Sequence, residues 1–256
     1  MKLTVLGSGT SVPHRTRTSS AYWLQTSGGT LLLDCSPTAA RRMAEEGLDW
    51  AGLDAIWISH FHVDHCGGLT AYLAGTKYAV ATRSRTKPLT IFGPVGLRSL
   101  FERMDAVNNY RLTEQPFHVE IVEVEPLEKF EILTGIEAVA LKTPHTDESL
   151  AIHIRDGEST LVFSADTGVS ETLATLTNQV DLFILECSFF KNKTTDKHLE
   201  LAEAMYLIRK AKPKRAMLTH FYPEWDEVDF QLQVKNFDPR CDLIEAVDGL
   251  RMEVSE

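Results

Sequence analysis

Four potential metal ligands stand within six residues, His60-Phe61-His62-Val63-Asp64-His65, directly behind the apolar run Ala55-Ile56-Trp57-Ile58-Ser59. The run reads as a buried strand, rich in β-branched and aromatic side chains. A strand that ends in three imidazoles and a carboxylate presents nitrogen and oxygen donors from a rigid edge. Those donors suit zinc, manganese or iron better than magnesium. His60 and His62 are two apart, so in extended backbone their rings point the same way and grip one ion, while Asp64 and His65 face elsewhere. Four ligands on one loop strain a single tetrahedral centre. A pair of ions shares them more naturally.

Three more donors each follow an apolar run: His145 after Ala138 to Leu141, Asp166 after Leu161 to Ala165, and His220 after Ala216 to Thr219. A layered fold brings such strand-end loops together. The seven donors divide as His60, His62 and His145 on one ion and Asp64, His65 and His220 on the other, with Asp166 bridging and room left for a shared hydroxide. Asp34 ends the run Thr30 to Leu33, where it orients the metal loop by hydrogen bonds. Glu186, a carboxylate in the run Leu182 to Glu186, reads either as a partner for His198 behind the site or as an edge-strand charge. Tyr222 and Trp225 follow His220, where an aromatic packs into the core more often than it lines a cleft.

Short apolar runs alternate with turn signals and helical patterns from end to end, so residues 1–256 read as one α/β domain of two packed sheets covered by helices. Strands are expected at 3–6, 21–25, 30–33, 55–59, 89–92, 119–124, 136–141, 150–154, 160–164, 182–186 and 215–219. A helix opens at Ser36-Pro37 and closes at Gly47, others start at Gly67-Gly68-Leu69 and near Leu97, and a strong one runs from Leu199 to Lys210. At 43% hydrophobic content the chain buries a substantial core. The amino terminus turns at Gly7-Ser8-Gly9 too soon for a signal sequence and no apolar stretch approaches spanning length, so a cytoplasmic protein is expected. Gly7-Ser8-Gly9 also lacks the third glycine of a dinucleotide fingerprint.

Cys35, Cys66, Cys187 and Cys241 form no Cys-x-x-Cys pair and read as small core residues. A net charge of −10 disfavours broad nucleic-acid binding. The acid-free stretch between His65 and Phe101, with Lys77, Arg83, Arg85, Lys87 and Arg98, reads either as a solvated basic face or as a surface available to an anionic substrate.

Together these residues resemble the metallo-beta-lactamase superfamily, and within it the ribonuclease Z-like branch. His60-x-His62-x-Asp64-His65 is similar to the signature loop, Asp34 to the first-motif aspartate, and His145, Asp166 and His220 to the remaining ligands in order. The resemblance implies a four-layer αββα sandwich with the site at one edge between the sheets, and a homodimer. Redox-active relatives carry glutamate where this chain has His62, which implies hydrolytic chemistry. Pro13-His14-Arg15-Thr16-Arg17-Thr18 is similar to the branch's Pro-x-Lys-x-Arg-Asn loop, which makes Arg15 and Arg17 candidates for substrate phosphate. Lys87 to Pro94 and Leu218 to Phe221 also match branch segments. His198 resembles the branch's non-ligand histidine, which stabilises charge at the scissile phosphate. One departure is large. Ribonuclease Z inserts a transfer-RNA-gripping arm between the ligands matching His145 and Asp166, and here only 20 residues separate them.

The expectation is a dinuclear-metal phosphodiesterase acting through a metal-bridging hydroxide on a small nucleotide or an RNA 3′-end phosphodiester, with two divalent ions, zinc before manganese or iron. Asp64 orients the water and His198 meets the phosphoryl oxygen or leaving group. The alternatives are a thioester or lactone hydrolase on the same ions, and a binding protein with a relic site.

Overall fold

The computed structural model describes residues 1–255. Its first sheet contains β1 (Lys2–Gly7), β2 (Ala21–Thr26), β3 (Gly29–Leu33), β4 (Ala55–Trp57), β5 (Leu89–Pro94) and β6 (Val119–Val124). The second contains β7 (Lys129–Leu133), β8 (Ile136–Lys142), β9 (Leu150–Asp156), β10 (Ser159–Phe163), β11 (Leu182–Glu186), β12 (Arg215–Thr219) and β13 (Asp242–Glu245). A last strand, β14 (Arg251–Glu253), returns to the first sheet beside β1. The orders are β14-β1-β2-β3-β4-β5-β6 and β13-β12-β11-β10-β9-β8-β7. Each sheet runs antiparallel on one side, through β14 to β3 or β7 to β10, and parallel on the other, through β3 to β6 or β10 to β13. The chain therefore builds the same half-sheet plan twice.

Period-2 alternation assigns the faces. Leu31 and Leu33 of β3, with Ala55 and Trp57 of β4, join the core between the sheets. Leu32 and Ile56 point the other way, into a second core with Met43, Leu69, Leu73, Leu97 and Phe101. Parallel strands covered on both faces need apolar side chains at every position, hence the unbroken run Leu31-Leu32-Leu33. The helices over that outer face are α1 (Ala39–Glu45), the short α2 (Val63–Cys66), α3 (Leu69–Tyr78) and α4 (Leu97–Ala106). The second half adds α5 (Glu171–Leu176), α6 (Leu201–Ala211) and α7 (Phe230–Lys235). Two helix-flanked sheets form the expected αββα sandwich. Among the described residues no helix is long and apolar enough to cross a membrane.

Several local expectations shift. The first helix begins at Ala39, because Ser36-Pro37 forms a turn in which the Ala39 amide donates to the Ser36 carbonyl. The strand expected over 55–59 is assigned only to Trp57, although the Ile58 amide still donates to the Phe92 carbonyl. Leu199 lies outside its helix, since Phe189 takes its carbonyl, and Glu200 with Glu203 forms a capping box before Leu201.

The basic stretch is largely spent on structure. Arg85 is buried, donates to the carbonyls of Lys87, Ala51, Leu53 and Pro88, and stacks on Phe117. Lys87 pairs with Asp54 at 2.6 Å, and Arg98 donates to the Ile121 carbonyl. Arg85→Ala strips donors from four carbonyls, so a loss of roughly 3 kcal/mol in urea unfolding is expected.

Candidate metal centre

The parallel strands of both sheets deliver their carboxyl ends to one edge of the sandwich, the end where open α/β sheets place ligands. Asp34 follows β3, the His60 loop follows β4, Asp166 follows β10, Glu186 ends β11 and His220 follows β12. Three of these turns are sharp. Asp34, Ala165 and His220 all sit at positive φ, 59°, 51° and 58°, a conformation costing about 1 kcal/mol or more in a residue with a side chain. The strain concentrates where the chain must swing a donor off a strand and into the cleft. The Thr143 hydroxyl donates to the Asp166 carbonyl at 2.9 Å within the second half, and the Leu150 amide donates to the Ser59 carbonyl at 3.0 Å, tying the two sheets together beside the site.

The donors meet in two groups. His60, His62, His145 and Asp166 form one, and Asp64, His65 and His220 the other; within each, one donor atom per residue lies within 4.8 Å of the rest. Asp166 faces both. Its Oδ2 lies 3.7 Å from His60 Nε2 and 3.5 Å from His145 Nε2, while its Oδ1 lies 3.3 Å from both His65 Nε2 and His220 Nε2. Asp64 Oδ2 stands 3.5 Å from His220 Nε2 and 3.7 Å from His65 Nε2. His62 is exposed at the mouth, with Nδ1 3.1 Å from His145 Nε2.

Ring orientation is fixed from behind. His65 Nδ1 donates to Asp34 at 2.6 Å, and His60 Nδ1 donates to the Ser59 hydroxyl at 3.0 Å, which itself donates to Asp34. His220 Nδ1 donates to the Ser188 hydroxyl at 2.9 Å, which donates to Glu186, and His145 Nδ1 donates to the Lys197 carbonyl at 2.9 Å. With the Nδ1 atoms of His60, His65, His145 and His220 so engaged, the four Nε2 atoms turn inward. His60 Nε2, His65 Nε2, His220 Nε2 and Asp166 Oδ1 are then buried without a hydrogen-bond partner among the described residues. Four orphaned donor atoms in one space are costly unless a cation receives them, so the residues fit a pair of divalent ions. Asp34 and Glu186 are both fully enclosed and serve as the two anchors of this framework.

Charge follows the same logic. Burial and the charge of His65 push His60 well below its ordinary pKa, and burial also lowers His145, so both stay neutral as ligation requires. Burial works against charge on His65, but Asp166 and Asp34 outweigh it and hold the ring protonated, so cation uptake there displaces a proton. Burial alone would raise the Asp64 and Asp166 carboxyls. The nearby imidazoles of His220 and His65 hold Asp64 below the carboxylate range, and the same two rings do so for Asp166.

His198 lies against this cluster, 4.8 Å from the His145 ring and 5.5 Å from the His220 ring. Its Nδ1 donates to Glu186 at 2.8 Å. Glu186 also accepts from the amides of Thr167, Ser188 and Leu199 and from the Ser188 hydroxyl. Burial opposes a charge on His198, and the Glu186 hydrogen bond and carboxylate overcome it, raising the pKa.

The loop at 13–18 behaves differently from expectation. Arg17 is almost fully buried; its guanidinium donates to the Ser8 hydroxyl, the Ala246 carbonyl and Glu245, and stacks on Phe221. Three of its five N–H donors are engaged in this way, and Nε lies 4.0 Å from Asp226. Arg15 is exposed and makes no side-chain hydrogen bond or ion pair among the described residues. His14 explains the turn, accepting at Nδ1 from the Thr16 and Arg17 amides and donating from Nε2 to Asp226. Sequence reasoning missed Ser59 and Ser188. Their only signal is position, one residue before a ligand and two after an anchoring carboxylate. Trp225 is buried and donates to the Cys187 carbonyl, whereas Tyr222 is half-buried at the site.

A family model described as the anti-Pycsar protein Apyc1 matches residues 1–240. The chain belongs to the anti-Pycsar protein Apyc1 family. Beyond the Apyc1 family, it is 25% identical over 291 aligned positions to a ribonuclease Z of Clostridium acetobutylicum, covering 91% of this chain and 92% of that one. The alignment is longer than this chain's 256 residues, so that relative carries insertions absent here. Among solved structures, the metallo-beta-lactamase fold protein YhfI from Bacillus subtilis superposes with a TM-score of 0.82 at 22% identity, covering 98% of this chain and 99% of that one. The short form of human tRNase Z gives 0.79 at 22% identity with full coverage of both chains. This Apyc1-family chain is a ribonuclease Z-like, metal-dependent hydrolase of the metallo-beta-lactamase fold.

Proposed function

We propose that this protein is a dinuclear phosphodiesterase, with zinc as its resident metal, acting on a small nucleotide or on the phosphodiester at an RNA 3′ end. The observation that carries the reading is Asp166, which turns one carboxylate oxygen toward each donor group. His60, His62 and His145 would hold one cation and Asp64, His65 and His220 the other, with Asp166 available to both. When bound, such cations polarise a phosphoryl oxygen and acidify water at neutral pH. The remaining work belongs to side chains. Asp64, held as a carboxylate by His220 and His65, orients the attacking water and takes its proton. His198, fixed by Glu186, donates from its second nitrogen to the phosphoryl oxygen or the leaving group. The segment between His145 and Asp166 is mostly the β9–β10 hairpin, with no arm for a folded RNA, which favours a small substrate. The protein acts as a homodimer in this reading.

Zinc-loaded protein is expected to hydrolyse bis(p-nitrophenyl) phosphate, to leave a thioester panel untouched, and to lose turnover on chelation and regain it on zinc addition. Thioester turnover without phosphodiester turnover sinks the proposal, and a protein that retains no metal on elemental analysis sinks it equally.

A further inference from the structure

We propose that Phe189 and Tyr222 form the seat of a nucleobase whose phosphate lies at the metal centre, an inference that rests on the phosphodiesterase reading above. The two rings stack at 4.9 Å between centroids with 16° between planes. Both are only half-buried, so the pair keeps accessible surface. The aromatics behind them differ: Phe221, Trp225 and Phe230 pack on one another inside the core.

The site's own framework sets the position of this pair. Phe189 directly follows Ser188, Tyr222 lies two residues past His220, and the Tyr222 amide donates to the Ser188 carbonyl at 3.2 Å. The His198 ring stands 6.3 Å from Phe189 and 6.5 Å from Tyr222, and on its other side stacks on His220 at 5.5 Å. A phosphate at the cluster and a base on the aromatic pair are therefore separated by about one imidazole, the reach of a ribose.

The surroundings suit a planar ligand with a polar edge. A cavity of about 480 Å³ opens beside Phe189, lined by Phe190, Lys191, Asn192, Thr194 and Glu224 among others. The loop is held in advance: Phe189 exchanges hydrogen bonds with Leu199 and Leu201, and Lys193 pairs with Glu203 at 2.7 Å. Stacking of a base on an aromatic side chain tolerates any base, because each has a π-face.

The test compares a uridine dinucleotide with its abasic analogue, which keeps the same sugar-phosphate backbone. Phe189→Leu and, separately, Tyr222→Leu are expected to lower kcat/KM for the dinucleotide by about tenfold or more and to leave the abasic substrate within about twofold, while Tyr222→Phe behaves as wild type. An unchanged preference for the base-bearing substrate in both leucine variants overturns the seat, including the case where both substrates fall together. Calorimetry supplies a readout independent of turnover. Metal-loaded wild type should bind uridine 5′-monophosphate more tightly than ribose 5-phosphate, and Phe189→Leu should erase most of that difference. If no ester is hydrolysed yet this binding pattern holds, the seat stands and the phosphodiesterase reading falls; equal binding of the two phosphates by wild type overturns the seat.

Discussion

Asp166→Ala is expected to retain at most one bound cation and to lose phosphodiester turnover by more than about a thousandfold, beyond the hundred- to thousandfold typical of one lost transition-state donor. The reason is positional. The two oxygens of this one carboxylate face separate imidazole groups, Oδ2 toward His60 and His145, Oδ1 toward His65 and His220. Its removal takes a ligand from each group at once and leaves the protonation of His65 supported by Asp34 alone among its two strongest partners. Elemental analysis against protein concentration checks the first part and bis(p-nitrophenyl) phosphate turnover the second. A variant that keeps two cations ends the bridging assignment.

His198→Ala is expected to behave differently, keeping both cations while kcat falls by roughly a hundred- to a thousandfold. His198 lies against the cluster and its Nδ1 proton is committed to Glu186, so the ring offers one nitrogen toward substrate. Full turnover in His198→Ala would remove it from the chemistry. Glu186→Gln separates orientation from charge: the amide keeps the side chain's shape but replaces one acceptor oxygen with a donor, against five groups that now donate to the carboxylate. We expect it to lower kcat by about tenfold to a hundredfold, the range for partners that orient a site residue from behind.

The metal loop and the strand-end donors were legible because their signal is local. His60 to His65 announces itself within six residues, and His145, Asp166 and His220 each follow an apolar run long enough to read as a strand. The two-sheet plan followed from the same runs. The edge strands β7, β13 and β14 did not stand out, since a half-exposed edge interleaves charge with apolar residues, as in Lys129-Phe130-Glu131 and Asp242-Leu243-Ile244-Glu245. The partners of Arg17 and Arg85 were hidden for another reason. Charge in a sequence suggests a surface or an anion, and nothing in the neighbouring residues announces Glu245, more than two hundred positions away, or the four carbonyls that enclose Arg85. Ser59 and Ser188 were invisible because a serine hydroxyl has a role only once its partners are in place.

The duplicated half-sheet plan extends to the site. In the first half Asp34 accepts from a serine hydroxyl and from one histidine, while that serine accepts from a second; in the second half Glu186, Ser188, His198 and His220 repeat the arrangement. The first half supplies His60, His62, Asp64 and His65, the second His145, Asp166 and His220. Cations held as proposed would act as rivets across the join, and whatever loosened the halves would also empty the cleft between them.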